Sequence, residues 1–149
     1  GLVDGLEIFA GRSVIEQDAA VGTGPSGDRT QYVYGATYAI GSVTLGYQES
    51  RDNLQATAVG AVTSYYSNKA FGVSFNVNDN LSLSYGNHKS DRNLNSGSSV
   101  ELEAESLQLA YTMGGMSIKV AESTVDNGSY TSGTGKDRDG TTLALTLAF

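Results

Sequence analysis

The sequence contains no cysteine and no tryptophan, a single proline and a single histidine. Without cysteine there can be no disulfide, no thiolate metal site and no cysteine nucleophile. The lone His88 excludes a multi-histidine metal centre within this chain. Charge is also scarce, at 17% of residues against roughly a quarter in an ordinary soluble domain. Cations are the scarcer sign: 9 Lys and Arg against 16 Asp and Glu give a net charge of −7. That balance argues against nucleic acid as a partner, because phosphate binding needs a basic patch. Long hydrophobic runs are missing as well, and no segment approaches the roughly 18 residues of a membrane helix. Hydropathy is blind, however, to membrane β-barrels, whose signal per segment is weak.

What is present is glycine, tyrosine and alternation. The 149 residues, 39% of them apolar, include 19 glycines and 9 tyrosines. In "TQYVYGATYAI", Tyr32, Tyr34, Ala36, Tyr38 and Ile40 fall on one face and Gln31, Val33, Gly35, Thr37 and Ala39 on the other. "VTLGYQES", "KAFGVSFNV", "LSLSYGN", "SLQLAYTM", "MSIKVAES" and "TTLALTLAF" alternate in the same way. Period two predicts β-strands with one apolar face, and no segment shows a helical period. Gly41-Ser42, Asp79-Asn80 and Gly114-Gly115 are expected as tight hairpin turns. Between them lie long polar loops, near 17–29, 51–59, 90–99 and 124–140. Short and long connections alternate strictly, which predicts an up-and-down meander of eight strands with all tight turns at one end. Asp4-Gly5 is a further hairpin signal, and Gly1-Leu2-Val3 before it read as the stump of another strand.

Alternation alone does not say which face is wet. In a soluble sandwich the Leu/Val/Tyr face would be the core, and the solvent face would carry Lys, Glu and Arg to discourage edge pairing. Here the second face is mostly Gly, Ala, Ser, Thr, Gln and Asn, with Glu7 and Lys119 nearly its only charges in the strand middles. Outward apolar bands, short turns at one end and long loops at the other are the pattern of an outer-membrane barrel. The small side chains of the polar face would also leave a closed eight-stranded barrel hollow, since such a barrel is just wide enough for side chains to fill. The first and last strands are therefore expected to be edges.

Two motifs suggest other chemistry and do not sustain it. "GTGPSG", Gly22 to Gly27, matches G-x-G-x-x-G, but that fingerprint must open a helix and here it precedes a strand. "GTGKD", Gly133 to Asp137, lacks both the hydroxyl residue and the upstream glycine of a phosphate loop. Ser, His and Asp form no recognisable catalytic arrangement, so no enzyme is expected. Glu101, Glu103 and Glu105 share parity with Leu107, Leu109 and Tyr111 and continue the outward face above the apolar band. They read either as a solvated strand extension or as a Ca²⁺ or Mg²⁺ site bridging to lipopolysaccharide phosphates, because clustered carboxylates suit hard cations. Asp137 and Asp139 are a weaker candidate, and no other cofactor is expected.

The terminal "TTLALTLAF" resembles the C-terminal β-signal of Gram-negative outer-membrane proteins, an alternating strand ending in phenylalanine. Together with "GATYAIGSVTLGYQES", "VNDNLSLSYGNHKS" and "LQLAYTMGGMSIKVAES", it makes the chain resemble the C-terminal half of an alphaproteobacterial general diffusion porin over essentially its whole length. The resemblance implies an all-β, antiparallel, up-and-down transmembrane barrel in the outer membrane, with eight of sixteen strands here and no second domain. It implies passive diffusion of small hydrophilic solutes and ions, contact with lipid bilayer and lipopolysaccharide, and a homotrimer at full length. The expected pore-lining residues are Glu7, Gln31, Gln48, Asn68, Asn76, Gln108 and Lys119. Leu143, Leu145, Leu147 and Phe149 would form the assembly signal. The family's constriction loop and basic cluster have no counterpart in this sequence. The competing reading is a small eight-stranded outer-membrane barrel acting structurally or adhesively through its long loops.

Overall fold

A computed structural model describes residues 3–18, 25–58, 62–133 and 135–148. Eight strands form one antiparallel sheet: β1 (Leu6–Ile15), β2 (Arg29–Ile40), β3 (Val43–Asn53), β4 (Thr63–Asn76), β5 (Leu81–Leu94), β6 (Ser99–Met113), β7 (Met116–Asp126) and β8 (Arg138–Leu147). Each strand pairs with its neighbours in sequence, in the order β1 to β8. A single 3₁₀ turn, Gly128–Tyr130, lies in the β7–β8 connection, and the described residues contain no α-helix. The sheet is open, with β1 and β8 as its edges, as the small residues of the polar face predict.

The hairpins explain the register. Ile40 pairs with Val43 across Gly41-Ser42, and Met113 with Met116 across Gly114-Gly115. Both are two-residue loops, and Gly41 (φ 59°) and Gly114 (φ 58°) take the left-handed conformation such turns demand. The third turn is longer than expected. β4 stops at Asn76, and Val77–Asn80 form the connection, closed by Asn78 Oδ1 accepting from the amides of Asn80 (2.9 Å) and Leu81 (3.0 Å). An Asx turn thus replaces the two-residue Asp79-Asn80 turn. Asp4-Gly5 is also a turn, with Leu6 N–H donating to the Val3 carbonyl (3.3 Å) and Gly5 at φ 76°.

At the other end the strands run further than their apolar pattern. The segment 90–99 is not a long loop: β5 continues to Leu94 and β6 begins at Ser99. β4, β5 and β6 are 14, 14 and 15 residues long, beyond the roughly 9–11 that cross a bilayer. The loops there are tied together. Asn95 Nδ2 donates to the carbonyls of Ala56 and Ala58 (both 2.8 Å), and Ser26 N–H donates to the Gln55 carbonyl (2.8 Å).

No second layer covers the sheet, and among the described residues no apolar side chain is buried. The accessible surface is 9822 Å², against about 7,200 Å² for a compact soluble monomer of this mass. Register decides how the two faces are composed. Leu6 pairs with Tyr38, Tyr38 with Leu45, Leu45 with Val73, Val73 with Tyr85, Tyr85 with Leu107, Leu109 with Val120, and Val120 with Leu143. All eight apolar faces therefore fall on the same side.

Candidate pore wall

The expected wall residues Glu7, Gln31, Gln48, Asn68, Asn76, Gln108 and Lys119 all occupy the opposite, polar side by strand parity and register. They are spread over it rather than gathered at one point. Glu7 accepts from Thr37 Oγ1 (3.4 Å) and Gln108 Nε2 donates to Ser106 Oγ (3.4 Å). Gln48, Asn76 and Lys119 are exposed. One hydrogen-bonded row across the sheet consists of Gly46, Gly72, Gly86, Ser106, Ser123 and Gly140. With so little side chain along that row, the sheet is thin there.

Towards the long-loop end the wall becomes a polar cluster that the sequence pattern did not single out. The Arg29 guanidinium makes a two-pronged ion pair with the Asp52 carboxylate. Asn68 Nδ2 donates to Ser50 Oγ (3.1 Å), Ser90 Oγ donates to Asn68 Oδ1 (2.5 Å), and the Ser90 and Tyr130 hydroxyls lie 2.6 Å apart. Ser90 is 2% exposed, the only buried polar side chain among the described residues. Its cover is Tyr130, which the 3₁₀ turn carries inward onto this face. The Tyr130 ring lies 5.3 Å from that of Tyr66, and its carbonyl accepts from Arg92 Nη2 (3.2 Å). Asn127, Ser129 and Tyr130 all have positive φ, a costly backbone for non-glycine residues that these inward contacts hold in place. Phe9 is a second unforeseen wall aromatic. Its register partner is Gly35, where a Cβ would lie 2.5 Å from the Phe9 ring and 2.4 Å from the Tyr47 carbonyl oxygen. Parity with Glu7 places Phe9 on this side, and parity continued past the apolar run finds Asp52, Ser90 and Arg92.

On the apolar side, Tyr34, Tyr47, Phe71 and Tyr85 form a belt at the upper margin. The Tyr34 and Tyr47 hydroxyls both donate to Glu49, and that of Tyr85 donates to Glu105. Each of these tyrosines thus turns an apolar body to the band and a polar tip to the charges above it. Glu101, Glu103 and Glu105 come next in β6, as their parity predicts. Lys89 Nζ lies 3.4 Å from Glu101 and 3.2 Å from Glu103. Asn87 Nδ2 donates to Glu103 (2.6 Å) and Glu105 (3.0 Å). The three carboxylates are thus engaged by side chains of β5, and among the described residues no three acidic or imidazole groups are placed to hold a metal ion. Asp137 Oδ1 accepts from the Asn127 amide (3.0 Å), while Asp139 is exposed on β8. Leu143, Leu145 and Leu147 stand on the apolar side of β8, 73%, 59% and 51% exposed. Phe149 lies outside the described residues, as do Gly22 to Gly24 of the "GTGPSG" stretch. That stretch leads into strand β2 rather than a helix, so it does not have the setting of a nucleotide loop.

No protein-family model matches the chain, and no curated protein matches its sequence.

The apolar band is not level with the hydrogen-bonded rows. The residues Ile8, Ala36, Tyr47, Phe71, Asn87, Glu105, Thr124 and Asp139 form a single such row. The row begins at the centre of the apolar run in β1 and ends outside it in β8, whose apolar centre, Leu145, lies six residues further on. The apolar centres of the intervening strands, such as Leu45, Leu83 and Ile118, step steadily between these limits. Six residues at about 3.3 Å over seven strand spacings at about 4.8 Å correspond to a slope of about 30°. The apolar band is therefore level only if the strands tilt, by an amount close to the 35–45° of membrane barrels.

Proposed function

We propose that this sheet is part of the wall of an outer-membrane β-barrel, a porin whose water-filled lumen passes small hydrophilic solutes by diffusion. The observation that carries the reading is the uncovered apolar side: eight apolar faces brought into one band by register, sloped as strand tilt requires, with no second layer over it. Hydrocarbon covers that band in the bacterial outer membrane, and the tyrosine belt sits where the band meets polar surroundings. The other side, lined by Gly, Ser, Asn and Gln, is wetted and leaves solutes hydrated.

The open edges set a further condition. In hydrocarbon every backbone N–H and C=O needs a partner, and each one left without costs several kcal/mol. Closing β1 onto β8 would give a ring of eight whose interior the small wall residues could not fill. Further strands therefore complete the ring, giving a barrel of about twice this size in which the tight turns face the periplasm and the long loops face outward. Trimer formation is part of the same proposal and rests on the porin resemblance alone. The test is conductance of the folded protein in planar lipid bilayers. Stable single-channel steps support the pore, and silence from protein shown to be folded and inserted contradicts it.

A further inference from the structure

We propose that the wetted side of this sheet draws small anions into the lumen although the protein as a whole is acidic. The inference rests on the pore reading above and adds the class of solute it favours. It begins from how the strands sort their charges. By parity and register, the polar side carries four cations, Arg29, Arg92, Lys119 and Arg138, against two carboxylates, Glu7 and Asp52. The apolar side carries eight carboxylates, among them Glu49, Glu122 and Asp139, against four cations, Arg12, Arg51, Lys69 and Lys89. The remaining excess of negative charge lies in turns and loops.

Of the four wall cations only Arg29 is ion-paired among the described residues. Asp52 is committed to Arg29. Among the described residues no carboxylate forms an ion pair with Arg92, Lys119 or Arg138. Arg92 is turned to this side by Tyr130, whose carbonyl holds one guanidinium nitrogen while Nε has no partner. Depth comes from the tilted band. Lys119 adjoins Ile118 at mid-height, whereas Arg92 and Arg138 stand well above the apolar centres of β5 and β8, at the long-loop mouth. Along the strands of the wall, an entering solute thus meets Arg92 and Arg138 before Lys119. The carboxylates of the opposite side project away from the lumen across the sheet. At 0.1 M salt the screening length is about 10 Å, so the nearer, inward charges dominate the field a solute meets, and walls of low dielectric concentrate it.

The test is the reversal potential of the full-length protein in planar bilayers under a KCl gradient, read as the chloride-to-potassium permeability ratio. Arg92→Gln, Lys119→Gln and Arg138→Gln together should lower that ratio by about two-fold or more at 0.1 M salt. Lys119→Gln alone should lower it in the same direction, and serves if the triple variant does not insert. Glu7→Gln should raise it. Glu122→Gln, the same charge change on the apolar side, should leave it unaltered. Channels whose ratio ignores Arg92, Lys119 and Arg138 together, or responds to Glu122 as strongly as to Lys119, would overturn the anion inference while leaving the pore intact. Absence of channels would instead overturn the pore reading itself.

Discussion

Replacing Ile118 by arginine should be among the most damaging single substitutions in the protein, and replacing its neighbour Lys119 by arginine among the mildest. Ile118 pairs with Tyr111 and Leu145 on the apolar side and sits at the centre of the band in β7. A cation facing hydrocarbon at the bilayer midplane of a barrel costs about 2–4 kcal/mol, falling to about 0–1 near the interfaces. Lys119→Arg keeps the charge on the wet side and should cost less than about 0.5 kcal/mol. Ile118→Ala separates lipid from a protein core. Three lost carbons at about 0.8 kcal/mol each give about 2 kcal/mol, and fluid lipid leaves no cavity to add to it. In a packed core the same truncation runs from about 2 to 5 kcal/mol because a cavity remains. The assay is urea unfolding of the three variants in phospholipid vesicles, each compared with wild type. Equal losses for Ile118→Arg and Lys119→Arg would refute the assignment of faces. Cooperative folding of the wild type in lipid-free buffer would refute lipid as the cover of the apolar side.

Gly35→Ala should destabilise the folded protein by about 1–3 kcal/mol, because the new methyl meets both the Phe9 ring and the Tyr47 carbonyl oxygen; urea midpoints in vesicles check it, and an unchanged midpoint would mean that Phe9 does not lie over Gly35. Tyr130→Phe removes the hydroxyl that contacts Ser90 and should cost about 1 kcal/mol, seen as faster trypsin cleavage at Lys136 with no change at other sites. Deleting Phe149 should lower the amount of assembled protein in cells far more than it lowers stability in vitro, since burial of one phenylalanine is worth only about 2–3 kcal/mol. Normal levels of the truncated protein in outer membranes would remove the assembly-signal reading.

Strand number, strand order and the sorting of faces were legible because period two persists wherever one face is apolar. The polar ends of the strands were not. Beyond the belt of Tyr34, Tyr47 and Tyr85 both faces are polar, so the alternation that betrays a strand fades. Ser90 to Leu94 consequently read as loop although they are paired in β5. The same fading hid the Arg29–Asp52 and Ser90–Tyr130 contacts, whose members lie 23 and 40 residues apart in sequence. The four-residue turn at Val77–Asn80 is hidden in the sequence because Val77 fits the strand pattern and Asn78 acts through a side-chain bond that residue type alone does not reveal. The slope of the apolar band could not be read at all from single strands, because it exists only once the hairpins have fixed the register.

The central claim, that one side of this sheet meets lipid and the other water, is most directly tested by single cysteines, which the absence of native cysteine makes clean. Ser117→Cys, Ile118→Cys, Lys119→Cys and Val120→Cys, each folded in vesicles, would be exposed to a water-soluble maleimide and, separately, to a lipid-borne fluorescence quencher. Rapid aqueous labelling at positions 117 and 119, with protection and lipid quenching at 118 and 120, is the predicted result. Equal labelling at all four positions, or the reverse alternation, would contradict it.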